Sequence, residues 1–243
     1  MELYDAISKR KSVRKYKDEP LSNEQLNGIM AFSKAAKPLF PEIKTEMRLL
    51  GADDVSIQMF AVKAPHYLAF FSEEKEGRYL NAGFMLQQTD LFLSASGLGS
   101  CWLGLSRAKK EKKPGKGLNY IIMLALGTPD EEPQRTDISQ FRRRTLSEIS
   151  GGNDPRLEAA RLAPSAKNSQ PWYYICEDGR IYSYREKINP AMELIMGSLN
   201  TIDMGIALCH IWLAGEKAGL PFSFTTEVPR PAPKGYLPIG TIK

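Results

Sequence analysis

The sequence predicts an α+β fold in which one arrangement of helices and strands occurs twice, and three observations lead to it. Segments of helical periodicity alternate with short apolar runs bounded by turn residues. A turn-forming break, Gly151-Gly152-Asn153-Asp154-Pro155, interrupts the chain, and a similar order of elements resumes beyond it. The two longest helical segments align residue on residue, Gly83 with Gly205, Leu91 with Leu213 and Gly97-Leu98 with Gly219-Leu220, all at one constant offset. The strands that end each half match as well, Leu126-Gly127-Thr128 against Ile239-Gly240-Thr241. An internally duplicated chain follows, a pseudo-dimer with a first half over residues 1–150 and a second over 151–243, packed as one compact unit.

Residues 2–9 begin a short helix, and Leu21 to Ala36 gives a second. Ser22 stands at its N-cap and Glu24 in its first turn, where an acceptor and a negative charge answer the exposed amides. Met47 to Leu50 and His66 to Phe71 read as strands, the latter bounded by Pro65 and by Ser72-Glu73-Glu74. A long helix over Asn81 to Gly97 closes on glycine, the residue best suited to the left-handed turn that ends a helix. Tyr120 to Leu126 is an apolar strand stopped by Gly127, and a polar stretch from Thr128 to Thr136 leads to Phe141-Arg142-Arg143-Arg144. Beyond the break come a helix from Arg156 and strands over Trp172 to Cys176 and Ile181 to Arg185. A long helix over Leu199 to Ala218 and a last strand through Tyr236 to Ile239 complete the chain.

With 243 residues, 42% of them apolar and 25% charged, the chain can bury a proper core and has an ordinary soluble composition. Its N-terminal stretch is polar and charged, unlike a signal peptide. The longest apolar run, Met204 to Ala214, is interrupted by His210 and reaches about half the length of a membrane span. Cys101, Cys176 and Cys209 lie far apart and argue against a disulfide framework, and His66 and His210 offer no zinc spacing. A cytoplasmic protein with no membrane partner is the expectation. The net charge of +5 suits a partner that carries phosphate, whether a flavin or nicotinamide nucleotide or a nucleic acid. Nucleic acid would require a basic stripe with interleaved aromatics. The densest cluster, Lys109, Lys110, Lys112, Lys113 and Lys116, instead sits with Glu111, Pro114 and Gly115 in what reads as a solvated loop.

Two segments carry chemistry. Arg10-Lys11-Ser12-Val13-Arg14 places three cations and a hydroxyl within five residues, a set suited to phosphate or another anion, although a solvated basic turn has the same composition. Ala163-Pro164-Ser165-Ala166-Lys167-Asn168-Ser169-Gln170-Pro171-Trp172 follows a helix and precedes a strand. Its prolines hold the backbone extended while Ser165, Asn168 and Gln170 offer donors and acceptors, which suits a flat polar heterocycle or an ordinary turn with a packed Trp.

Together these segments resemble the nitroreductase family of FMN enzymes. That family carries an Arg-Arg-Ser-x-Arg-like segment near its N-terminus, matched here by Arg10 to Arg14 with the aromatic Tyr16 beyond, and a Pro-Ser-x-x-Asn-x-Gln-Pro-Trp loop, matched in full from Pro164 to Trp172. A third family feature, a long helix running into Gly-Leu-Gly-x-x-Trp and a glycine, appears from Ala82 through Gly97-Leu98-Gly99-Ser100-Cys101-Trp102-Leu103-Gly104. A fourth, a glycine-ended strand followed by an acidic-proline stretch and a basic run before Leu-x-x-Ile, appears from Leu126 through Arg142-Arg143-Arg144 to Ile149. One departure stands out. The family's Pro-Ser loop follows the first helix pair, but after Ala36 this chain reads Lys37-Pro38-Leu39-Phe40-Pro41, and the loop sits in the second half, which in turn has no Arg-x-Ser-x-Arg segment. Family members are homodimers that take the basic segment from one subunit and the loop from the other. The split is what a fused dimer would look like after keeping one flavin site and losing its twin.

The resemblance implies an FMN-dependent oxidoreductase that draws hydride from NADH or NADPH and passes it to a small-molecule acceptor such as a nitroaromatic or quinone, acting as a monomer with further self-association left open. It implies that Arg10 and Ser12 bind the phosphate and ribityl chain with help from Arg142 and Arg143, and that Lys11 also belongs to the cofactor site. Arg14 would stand at the pyrimidine edge, where a cation stabilises the charge that builds on reduction. Pro164, Ser165, Ala166 and Asn168 would line the other face, the backbone of Trp102, Leu103 and Gly104 would reach toward flavin N5, and Gln58 would touch an edge. No side chain is expected to act as a catalytic acid or base, since the flavin carries the reactivity. A flavin-binding sensor or carrier without turnover and a relative that binds no flavin are the alternatives. Gly97-Leu98-Gly99 is not a dinucleotide fingerprint, because it ends a helix and has no third glycine. His210 reads as a packed or rim histidine, Cys101 as a small buried hydrophobe, and Asp203 as a local cap or pair.

Overall fold

The structure, a computed structural model, describes residues 2–56, 62–109, 114 and 117–243. The chain forms two compact units, Met1–Gln140 and Phe141–Lys243. Residues 141–150, counted with the first half in the sequence, thus belong to the second unit. The physical reason is local: Arg143 donates to the carbonyls of Ala163 and Leu162, and Arg144 N to Gln170, so this stretch is fastened to the chain that follows it.

The first unit opens with helix α1 (Leu3–Ile7) and helix α2 (Asn23–Ala35). Ser22 caps α2 as expected, and Gln25 completes a reciprocal box by accepting from the Ser22 amide at 2.9 Å. Strand β1 (Thr45–Gly51) follows, then a short ribbon strand β2 (Val55–Ser56), β3 (His66–Ser72), helix α3 (Arg78–Ala95), β4 (Gly99–Leu103), β5 (Arg107–Ala108) and β6 (Asn119–Gly127). Four strands form an antiparallel sheet in the order β1-β3-β6-β4, while β2 pairs with β5. Tyr67 through Phe71 are wholly buried, which explains why β3 reads as a continuous apolar run without alternation. α3 packs against α1, α2 and three strands of this sheet and is buried along most of its length. The rings of Phe32 and Phe92 stack at 4.3 Å where α2 meets it.

The second unit runs α4 (Leu146–Ile149), β7 (Ser150–Gly151), α5 (Leu157–Arg161), β8 (Trp172–Glu177), β9 (Arg180–Glu186), α6 (Pro190–Lys217), β10 (Phe224–Thr225) and β11 (Tyr236–Ile242). Its sheet has the order β10-β11-β9-β8-β7, with β7 alone pairing in parallel. α6 starts nine residues before the expected Leu199, because Asn189 caps it by accepting from Met192 N at 2.9 Å and Pro190 occupies its first position. The helix is long and apolar enough to cross a membrane, but 72% of its most apolar stretch is buried inside the protein.

Apart from β7, the two sheets share one topology. The order β1-β3-β6-β4 corresponds to β8-β9-β11-β10, each neighbouring pair is antiparallel, and a long helix follows the second strand in both. The helices end alike. Gly97 (φ 74°) donates to Ser94 O and Leu98 to Leu93 O, while Gly219 (φ 68°) donates to Glu216 O and Leu220 to Gly215 O. Each is a left-handed Schellman ending that glycine adopts without strain. Aligned on these ends, Asn81 meets Asp203, and Gln88 meets His210. Asn81 accepts from the amides of Leu39 (2.8 Å) and Phe40 (3.2 Å), and Asp203 from the amide of Ala166 (3.0 Å). Gln88 binds the backbone of Lys37, and His210 Nδ1 lies 2.8 Å from Ala159 O. His210 is therefore the packed histidine the sequence suggested.

Candidate functional site

In the first unit, the basic segment lies along the free edge of β4. Val13 N donates to Ser100 O at 2.9 Å, and Ser12 pairs with Ser100 in a parallel bridge. On its other side, Arg135 N donates to Lys9 O at 2.7 Å, the Arg135 guanidinium donates to Arg10 O, and Asp130 N donates to Lys15 O. The segment is thus gripped from both sides by backbone bonds, and its side chains are placed by acids. Arg10 is only 2% exposed; its Nη1 lies 3.5 Å from Asp90 Oδ2 and 3.4 Å from Ser12 Oγ. Lys11 pairs with Glu131 at 3.2 Å, and the same carboxylate accepts from Arg14 N at 2.7 Å. That amide, followed by Lys11, holds Glu131 below the usual carboxylate range. Arg14 itself is exposed.

Asp90 is fully buried and also accepts from Ser100 Oγ (2.5 Å) and Trp102 Nε1 (3.4 Å). It therefore brings the basic segment and the Gly99–Leu103 strand together, with Trp102 half-buried, Leu103 buried and Gly104 partly exposed at the strand's end. Burial raises the Cys101 thiol, so it stays a small buried hydrophobe. Burial, and then the nearby charges of Arg10 and Arg14, lower Arg135 to about 10. Arg10 and Arg14 stand in the field of Arg135, and Arg10 Nε is buried with no partner among the described residues, a donor set that fits a phosphate-bearing nucleotide.

In the second unit, the loop from Pro164 to Trp172 is strongly shaped. Lys167, Asn168 and Gln170 adopt positive φ of 53°, 57° and 52°, an arrangement held by side-chain bonds. Ser165 Oγ accepts from Gln170 N at 2.9 Å, and buried Asp203 accepts from Ala166 N. Asn168 donates to Arg142 O at 2.8 Å and accepts from Arg143 Nη1 at 2.5 Å. Arg143 and Asn168, expected to face a ligand, thus bind each other and shape the loop. Arg142 remains exposed, while Pro164 is buried and Ser165 and Ala166 are partly so.

The structure therefore joins Arg10, Lys11, Ser12 and Arg14 to Trp102 in the first unit, and Arg142 and Arg143 to Pro164, Ser165, Ala166 and Asn168 in the second. Gln58 and Lys110, Lys112, Lys113 and Lys116 lie outside the described residues. The sequence reading missed Asp90, Glu131 and Arg135, and saw in Asp203 only a local partner. The available signal was an acid inside an apolar helix, as at Asp90 and Asp203, because burial of such a group requires partners.

Residues 2–215 match the family described as "Putative TM nitroreductase". The chain belongs to this nitroreductase family. A crystal structure named as a putative nitroreductase from Thermotoga maritima is 21% identical, with a TM-score of 0.64 over 100% of this chain and 92% of that one. A nitroreductase family protein from Clostridium difficile is 17% identical and has a TM-score of 0.52, covering 63% of this nitroreductase-family chain and 99% of its own. At these identities the likeness is one of fold. No curated protein matches the chain.

Proposed function

We propose that the chain is an FMN-dependent oxidoreductase, transferring hydride from NADH or NADPH to a small acceptor such as a nitroaromatic or a quinone. The observation that carries this is the Arg10–Ser12–Arg14–Arg135 cluster seated beside Trp102, in a chain that also holds the shaped Pro164–Trp172 loop. In this reading Arg10, Lys11, Ser12 and Arg14 serve the phosphate and pyrimidine edge. Trp102, Leu103 and Gly104 offer backbone near the hydride-accepting nitrogen. Bound FMN supplies the hydride chemistry at N5. Arg14, exposed and with no buried acid paired to it among the described residues, would offset negative charge at the flavin's pyrimidine edge. Pro164, Ser165 and Ala166 would line the ligand's other face, and Asn168 and Arg143 hold the loop's shape while Arg142 adds an exposed cation.

We also read the chain as an internal duplication. The shared sheet topology, the matching helix endings and the equivalent roles of Asn81 and Asp203 support it. So does the fact that a nearly whole family protein corresponds to 63% of this chain. The duplicate of the Pro-Ser loop, Lys37 to Pro41, places Leu39 and Phe40 where Ser165 and Ala166 stand, so one flavin per chain is the reading. Anaerobic addition of NADPH or NADH to FMN-loaded protein should bleach the flavin absorbance. Bound flavin that stays oxidised would make the protein a carrier, and failure to take up FMN would overturn the reading.

A further inference from the structure

The geometry points to Asp90 as the positioning residue for both ligand-facing segments of the first unit, an inference that rests on the FMN reading above. Asp90 lies in α3 between Thr89 and Leu91, where a carboxyl is costly unless donors occupy its oxygens. Two donors and a cation do so. Oδ1 takes the Ser100 hydroxyl at 2.5 Å, while Oδ2 takes the Trp102 indole at 3.4 Å and forms an ion pair with the Arg10 guanidinium at 3.5 Å. The backbone bond from Val13 to Ser100 already fixes how the two segments run. It does not fix the rotamer of Arg10 or the turn of the Trp102 ring, and those are what Asp90 decides. Held there, Arg10 keeps Nη1 beside the Ser12 hydroxyl and leaves Nε as a buried donor with no partner among the described residues.

The role makes an opposite prediction from simple electrostatics. A negative charge close to a phosphate monoester repels it, so removing that charge would tighten phosphate binding if position did not matter. If Asp90 holds Arg10 in place, removing the charge loosens phosphate binding instead. Riboflavin, which is FMN without its phosphate, separates the two.

The test is titration of flavin-free protein with FMN and with riboflavin, followed by quenching of flavin fluorescence. Asp90→Asn is expected to weaken FMN binding about tenfold while riboflavin changes less than about threefold, so the preference for FMN falls. Arg10→Gln should lower the preference likewise, and the double variant should add little to either, as expected of groups acting as a unit. A purely structural Asp90 would weaken both flavins alike. An unchanged or increased preference overturns the inference. Should Asp90→Asn melt below the assay temperature, Ser100→Ala withdraws the closest donor and is expected to lower the preference in the same direction; no change there also overturns it. A parent protein that binds neither flavin overturns the functional reading, and this inference with it.

Discussion

Asp203 carries a titration that the fold creates. Burial pushes its carboxyl up from the ordinary 3.8 to about 8, partly offset by the Ala166 amide that it accepts. A folded-state value above the unfolded one means that the folded chain holds the proton more tightly. The stabilisation is complete below the unfolded value of 3.8 and is lost as pH rises through about 8. Melting temperature should therefore fall across that window more steeply in the parent than in Asp203→Asn, which keeps an acceptor for Ala166; equal slopes would refute the assignment. At the basic segment, Arg10→Ala should weaken FMN binding by one to two decades, the roughly 1.5–3 kcal/mol of a charge-assisted contact. Arg14→Ala should instead lower the flavin's midpoint potential with a smaller loss of binding, and an unmoved potential would exclude Arg14 as the cation near N1. The residues of these motifs were legible because their spacing is local. Asp90 and Asp203 were not, since each acts across many positions of sequence on a segment whose approach only the fold creates.

The helices and strands long enough to show a period were legible: α2, α3, β3, β6, β8 and β9 all form where the apolar pattern places them. The ribbon strands β2 and β5 and the short β7 and β10 were not, because two residues contain no alternation to read. The first turns of α6 were missed for another reason: Leu194 and Ile195 are 90% and 60% exposed, so no buried stripe announces them. Asn81 tests the link between α3 and the chain before β1. Asn81→Leu would leave the Leu39 and Phe40 amides without their acceptor. It should cost about 1–3 kcal/mol, read as a lower denaturant midpoint at unchanged slope. A loss under about half a kcal/mol would mean that water or a neighbouring group replaces the bond.

For the molecule as a whole, the expected stoichiometry is one FMN per chain, measured as flavin absorbance against light-scattering mass across a size-exclusion peak. Two flavins per chain would show that the stretch around Lys37 to Pro41 still binds, and flavin confined to a dimer fraction would mean that the site is shared between chains. The sequence made this reading possible through what each half lacks. The backbone bond from Val13 to Ser100 reaches beyond cofactor chemistry. β4 ends its sheet, and an open edge strand is a template on which another chain can pair. The segment that presents Arg10, Ser12 and Arg14 also covers part of that edge. Val13→Pro removes the amide that occupies it, so this variant should scatter light in a concentration-dependent way even with FMN in excess. On the proposed FMN reading, solubility and cofactor capture would draw on the same five residues, and a chain that loosened them to admit a larger ligand would also lose some of its protection against aggregation.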